Sequence, residues 1–84
     1  MTPLPSTTRS TRNEIGRLCL AGDHACAAGD LAALREIAHE LADFTPEPVH
    51  CELARLAAAC AADPARAIAT WDEVKACLYR EVGA

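Results

Sequence analysis

The sequence predicts an all-α chain, with four helices arranged as two antiparallel helical hairpins, on three observations. Nineteen of the 84 residues are alanine and few are β-branched. That composition favours helix, because alanine loses no side-chain entropy there whereas Val, Ile and Thr lose χ1 freedom. Apolar residues recur at three- and four-residue spacing through most of the chain, the period of a helix with one apolar face. Two turn signals, Gly29-Asp30 and Asp63-Pro64, stand at equivalent places in the two halves. The expected organisation is a disordered arm over residues 1–10 and one helical domain over 11–84, divided into hairpins 11–44 and 45–84.

Each element follows in order. Thr11 with Glu14 three residues later is a capping box, which predicts the first helix start. Ile15, Leu18, Cys19, Gly22 and Cys26 form one apolar face running to Ala28, where Gly29 stops the helix. Asp30 caps a second helix whose stripe is Leu31, Leu34, Ala38 and Leu41, ending near Phe44. In Thr45-Pro46-Glu47-Pro48 the prolines disfavour helix in the residues before them, and Thr45 is expected to cap a third helix with Pro46 in its first turn. Val49, Leu53, Leu56 and Cys60 mark the buried side of that helix, which ends at Ala61 or Ala62. Asp63 followed by Pro64 is an acidic N-cap with proline at the first helical position, the strongest start signal in the chain. Ile68, Trp71, Val74, Leu78 and Val82 are the expected face of the fourth helix, closed by Gly83.

Charge and composition narrow the function. The net charge is −4, and residues 13–84 hold six basic against twelve acidic groups. Such a surface repels phosphate backbones, and counterion release needs clustered Lys and Arg, so no nucleic-acid partner is expected. A helix-turn-helix reading of the second and third helices fails on the same ground: the third offers only Arg55 to a phosphate or base. No stretch approaches the roughly 20 apolar residues of a membrane span, and the first twelve residues lack the apolar core of a secretory signal. The expectation is a cytoplasmic protein with no membrane partner. The Ser/Thr-rich basic start also resembles an organelle transit peptide in composition, but a plain disordered arm is preferred. Seven arginines to one lysine, with so much alanine, suggest a GC-rich bacterial source. Phe44, Trp71 and Tyr79 are the only aromatics, and a chain of this size buries only about 60% of its unfolded surface. Its core is thin, and a protein partner or self-association is expected to support it.

The halves align at a spacing of thirty-three residues, with Leu20/Leu53, Ala21/Ala54, Ala25/Ala58, Ala28/Ala61, Asp30/Asp63, Ala32/Ala65 and Glu40/Glu73 identical. In the first half Leu18, Ala21, Gly22 and Ala25 are followed by the Gly29-Asp30 turn, Leu34, Ala38 and Pro46. In the second, Ala67-x3-Trp71 supplies a small residue and a large aromatic, while Arg55 stands at the glycine place and Tyr79 at the proline place. Period and pattern resemble the tetratricopeptide repeat, a helical hairpin of about 34 residues. The resemblance spans residues 15–79 and implies a scaffold that binds a peptide, a helix or another subunit, without catalysis. An alanine-rich four-helix bundle outside that family is the alternative architecture. On either frame Gly22 lets the second helix of its hairpin approach closely, and Trp71 fills the gap to a neighbouring helix.

Chemistry has few footholds. Cys19, Cys26, Cys51, Cys60 and Cys77 form an odd set with no C-x2-C pairing, so no disulfide framework, metal site or cofactor is assigned. Core packing accounts for most of them, since cysteine behaves as a small hydrophobe. Cys51 is the candidate reactive thiol, because it lies near a helix start, where the dipole favours thiolate. His24 and His39 read as surface residues. Both serines lie in the first ten residues, and the paired carboxylates Asp72-Glu73, Glu36 with Glu40, and Glu47 with Glu52 read as solvated helix faces. No enzyme is expected. The function reading is a small helical adaptor or chaperone-like subunit, with Val49, Leu53, Trp71, Leu78 and Tyr79 as its partner surface. A cysteine-based redox-sensing or metal-binding helical protein is the alternative.

Overall fold

The computed structural model describes residues 4–82. All four helices are present: α1 (Leu4–Ala28), α2 (Leu31–Ala42), α3 (Glu47–Ala62) and α4 (Pro64–Val82). The described residues contain no strand. Each helix packs on the next, and α1 returns to touch α4, so the chain closes into a small all-α bundle.

The turns form as local chemistry dictates. Gly29 is left-handed, with φ +70°, a conformation that favours glycine. There its N–H donates to the Cys26 carbonyl (3.1 Å) and that of Asp30 to the Ala25 carbonyl (2.9 Å), the paired bonds of a Schellman ending. The Asp30 carboxylate then accepts from the Ala33 N–H at 3.1 Å and opens α2. Asp63 serves two helices. Its N–H donates to the Ala59 carbonyl at the end of α3, and its carboxylate accepts from the N–H groups of Ala65 (3.1 Å) and Arg66 (3.4 Å) at the start of α4.

Two boundaries differ from expectation. Helix α1 begins at Leu4, not Thr11, so residues 4–10 of the expected arm are helical and residues 1–3 lie outside the described chain. Pro5 falls in the first turn, where its missing N–H breaks no bond, and no glycine interrupts propagation back from the packed segment. Thr11 is thus inside the helix, and Glu14 pairs with Arg17 one turn on instead of capping. At the central turn, Pro46 itself takes the N-cap place of α3 in an extended conformation, with no side-chain cap bond. Thr45 turns the other way: its hydroxyl donates to the Leu41 carbonyl at 2.8 Å. His50 reaches back as well, its Nε2 lying 3.1 Å from the Ala42 carbonyl and 3.0 Å from that of Thr45. Both side chains therefore help finish α2: His50 serves the Ala42 carbonyl, and the Thr45 hydroxyl adds a second bond to the Leu41 carbonyl, which also accepts from the Phe44 N–H at 3.1 Å. The expected stop at Gly83 lies outside the described residues.

The core is one cluster, led by Trp71, Ile15, Leu34, Leu41, Leu56, Leu78, Val49 and Val74. The face of α4 is rotated from the expected one. Ala67, Thr70 and Cys77 are buried with Trp71, Val74 and Leu78, whereas Ile68 is exposed. The stripe runs 67-71-74-78, and small Ala67 lets α3 come close where a larger side chain would hold it off. Helix α1 is much the longest. Twenty-five residues span about 37 Å against about 18 Å for the twelve of α2, and the whole molecule is elongated, 47 Å by 23 Å by 17 Å. From Thr11 onward its first buried side chain is Ile15.

Candidate functional site

Gly22 and Trp71 define the junction between α1 and α4. A Cβ placed on Gly22 would lie 2.8 Å from Trp71 Cε2, and closer still to the outer carbons of the six-membered ring. Helix α1 can therefore reach the indole only with a glycine at that position. The sequence reading gave Gly22 to the contact with α2, its own hairpin partner. The structure gives it to the indole of the other hairpin. The indole is 1% exposed, and its Nε1–H donates to Asp23 at 2.8 Å. Lys75, one turn on from Trp71, donates to the same carboxylate oxygen at 2.7 Å. Its ammonium stands 5.9 Å from the centre of the Trp71 ring, within cation–π range. The Lys75 bond, followed by that from Trp71, holds the Asp23 carboxyl below its ordinary range, and Asp23 in turn holds the Lys75 ammonium above its own. Asp72 adds a second carboxylate 3.8 Å from Lys75. Every donor in this cluster has its acceptor, so it acts as a clasp that ties the first helix to the last.

Four of the five residues expected to form a partner surface belong to the interior: Val49 is 0% exposed, Leu53 4%, Trp71 1% and Leu78 1%. Helix α3 lies between α2 and α4, so its apolar stripe is consumed on both sides, and Trp71 is sealed by α1. Tyr79 alone is open, at 70%. It shares one side of α4 with exposed Ile68, eleven residues earlier, with Asp72 and Lys75 between them. On α1, Leu20 is 58% exposed and sits one turn from Asp23. Asp23 and Lys75 join the two helices, and Leu20 on α1 and Tyr79 on α4 each stand one turn from that junction. Sequence reasoning missed Leu20 and Ile68, since their spacing fits a buried face as well as an exposed one.

The cysteines are all free: Cys51 is exposed, Cys77 buried, and Cys19, Cys26 and Cys60 lie between those extremes. Burial pushes the Cys19, Cys26 and Cys60 thiols above their ordinary value, and the Asp23 carboxylate adds to this at Cys19 and Cys26. Among the described residues no group of three or more His, Cys, Asp or Glu side chains is placed to hold a metal ion. No helix in the described chain is long and apolar enough to cross a membrane.

A groove of about 520 Å³ runs between α3 and α4, lined by alanines and by Arg55, Arg66 and Glu73. Arg55 is engaged by Glu52 at 3.1 Å and Glu73 at 3.7 Å. Arg66 has no carboxylate within ion-pair distance among the described residues. Thr70 lines the groove although the residue is only 5% exposed. Its hydroxyl makes no hydrogen bond among the described residues, and no fully enclosed side-chain polar atom there is left unpaired, so that oxygen is not wholly enclosed. A smaller apolar hollow of about 270 Å³ lies between α2 and α3 beside His39 and His50.

No family model matches the chain, and no curated protein or solved structure shows significant similarity to it.

Proposed function

We propose that the chain is a small protein-interaction module, an adaptor or chaperone-like subunit that docks a partner protein on the side where α1 meets α4. The observation that carries this reading is the exposure of Tyr79, with Ile68 on the same stripe of α4 and Leu20 of α1 exposed one turn from the Asp23–Lys75 junction. Tyrosine offers a large rigid contact at low entropic cost and is enriched at interfaces. The charges of Asp72, Lys75 and Asp23 between these apolar groups supply a polar frame that fixes register. Two further features support it. The helical body carries twice as many acidic as basic residues, which suits a basic partner and disfavours nucleic acid. The tetratricopeptide resemblance implies the same kind of work. The five free thiols fit a reducing compartment such as the cytoplasm.

Site-specific photocrosslinking tests it. A benzoylphenylalanine at position 79 is expected to capture a defined partner in the native host, and one at Glu36 on the exposed side of α2 is not. Leu20→Ser combined with Tyr79→Ser should abolish co-purification of that partner while leaving helicity unchanged. Equal capture at both positions, or co-purification indifferent to the double substitution, overturns the reading.

A further inference from the structure

We propose that the α3/α4 groove is a self-association surface, on which a second copy of this chain packs its own α4 antiparallel across a two-fold axis between Ala69 and Thr70. The groove lies on a different side of α4 from the Ile68–Tyr79 stripe, and the inference does not depend on the function proposed above.

Arg66, Ala69, Thr70 and Glu73 stand at i, i+3, i+4 and i+7 and share one face of α4. Arg66 and Glu73 are equidistant from the midpoint between Ala69 and Thr70. Turning the helix about that midpoint places Arg66 of each copy opposite Glu73 of the other, which gives two reciprocal ion pairs about 10 Å apart along the axis. This is the self-complementarity that a two-fold interface requires. The charges are also in the right state to be used. Arg66 has no carboxylate partner among the described residues of its own chain, while Glu73 holds Arg55 at 3.7 Å, a long contact on exposed side chains, and has oxygen lone pairs to share.

Packing agrees with charge. Between the two arginines the groove presents alanines at its floor and rims, Ala58, Ala59, Ala62 and Ala69. Their small side chains let a helix backbone come close, as in close-packed helix pairs. No large side chain fills the space, whereas a small-molecule pocket is usually walled by large apolar and aromatic groups. At the axis itself stands Thr70, a lining residue of the groove, 5% exposed and with its hydroxyl unbonded among the described residues. The same hydroxyl of a second copy would meet it there, one donating and the other accepting.

Sedimentation equilibrium of the full chain, followed from about 10 µM to about 1 mM, spans the range in which a modest interface associates. The mass is expected to rise from 8.9 kDa toward twice that value. Arg66→Glu and Glu73→Arg should each remain monomeric over the same range, because each single reversal sets two like-charge pairs across the axis. An equimolar mixture of the two variants should regain the dimer, since every cross pair is then opposite in sign. Both positions are exposed, so folding should be retained and is checked by circular dichroism. If either variant unfolds, Ala69→Cys replaces it: mild oxidation should yield a covalent dimer in excess of the unsubstituted chain. A wild-type monomer throughout, single variants that dimerise as the wild type does, a mixture that stays monomeric, or no excess covalent dimer overturns the proposal.

Discussion

Replacing Gly22 by alanine sets two effects against each other, and the structure decides the sign. In an exposed helix interior the substitution would stabilise by about 1 kcal/mol through helix propensity alone. Here the added methyl would lie 2.8 Å from Trp71 Cε2 and nearer still to the outer ring carbons. To restore ordinary van der Waals contact, at about 3.4 Å, the ring or the helix must give by more than half an ångström. The ring has nowhere to go. It is 1% exposed in a core packed to interior density, and its N–H is fixed to Asp23 at 2.8 Å. Overpacking of this kind costs about 1–3 kcal/mol, and loosening the bond to a charged acceptor costs about 1 kcal/mol more. The net expectation is a loss of about 1–3 kcal/mol, a large part of the stability of so small a domain. Urea unfolding followed by both Trp71 fluorescence and helical circular dichroism measures it. In a double-mutant cycle, Gly22→Ala should be better tolerated beside Trp71→Phe, whose shorter ring leaves room for the methyl. A Gly22→Ala protein as stable as the parent or more so, with an unshifted indole emission, would refute the account of the α1/α4 junction.

Other perturbations probe the Asp23 side of the same junction, the turns and the thiols. Asp23→Ala strands the buried Trp71 N–H and should cost about 1–3 kcal/mol, with Asp23→Asn less damaging because its amide oxygen still accepts. The folded-state pKa of Asp23 lies below its ordinary value of 3.8, so this carboxylate adds stability above that value and loses it as pH falls through the lower folded one. Asp23→Asn should flatten that acid limb, by less than about 1 kcal/mol because the pair is exposed, in thermal melts between pH 6 and pH 2.5. Asp63→Ala should cost about 1 kcal/mol, and up to about 2, in chemical denaturation, since Asp63 caps α4; an unchanged midpoint would mean that the cap bonds contribute nothing. Thr45→Val should lower stability by about 1 kcal/mol and speed amide exchange over the last turn of α2, where the Thr45 hydroxyl bonds the Leu41 carbonyl beside the Phe44 N–H; a Thr45 role in capping α3 would instead show up at the amides of Glu47 and Val49. In a thiol titration of the native chain Cys51 should react first and Cys77 only on unfolding, and the reverse order would contradict the fold.

The four helices, and the turns at Gly29-Asp30 and Asp63, were legible in the sequence because they rest on contacts within a few residues. A left-handed glycine, an aspartate accepting from the next turn and a proline in a first turn carry their geometry with them. Local rules served less well where two local solutions competed. Thr45 can cap forward or bond backward, and the choice fell to the carbonyls of α2, which His50 also reaches. The start of α1 was misplaced for a related reason: a capping box marks a good helix start but cannot stop a helix from continuing past it. What a stripe faces was beyond the sequence altogether. Val49, Leu53, Trp71 and Leu78 read equally well as core or partner surface, and their burial follows from α3 lying between two neighbours and α1 closing over the indole. Ile68 and Leu20 are exposed for the same reason, since burial depends on which helix arrives from the other half of the chain. The sequence by itself thus determined how many helices there are and where they turn. Only the tertiary structure decided that Gly22 and Trp71 need each other, and that the Arg66–Glu73 face of α4 borders an open groove against α3, because each depends on a helix brought in from elsewhere in the chain.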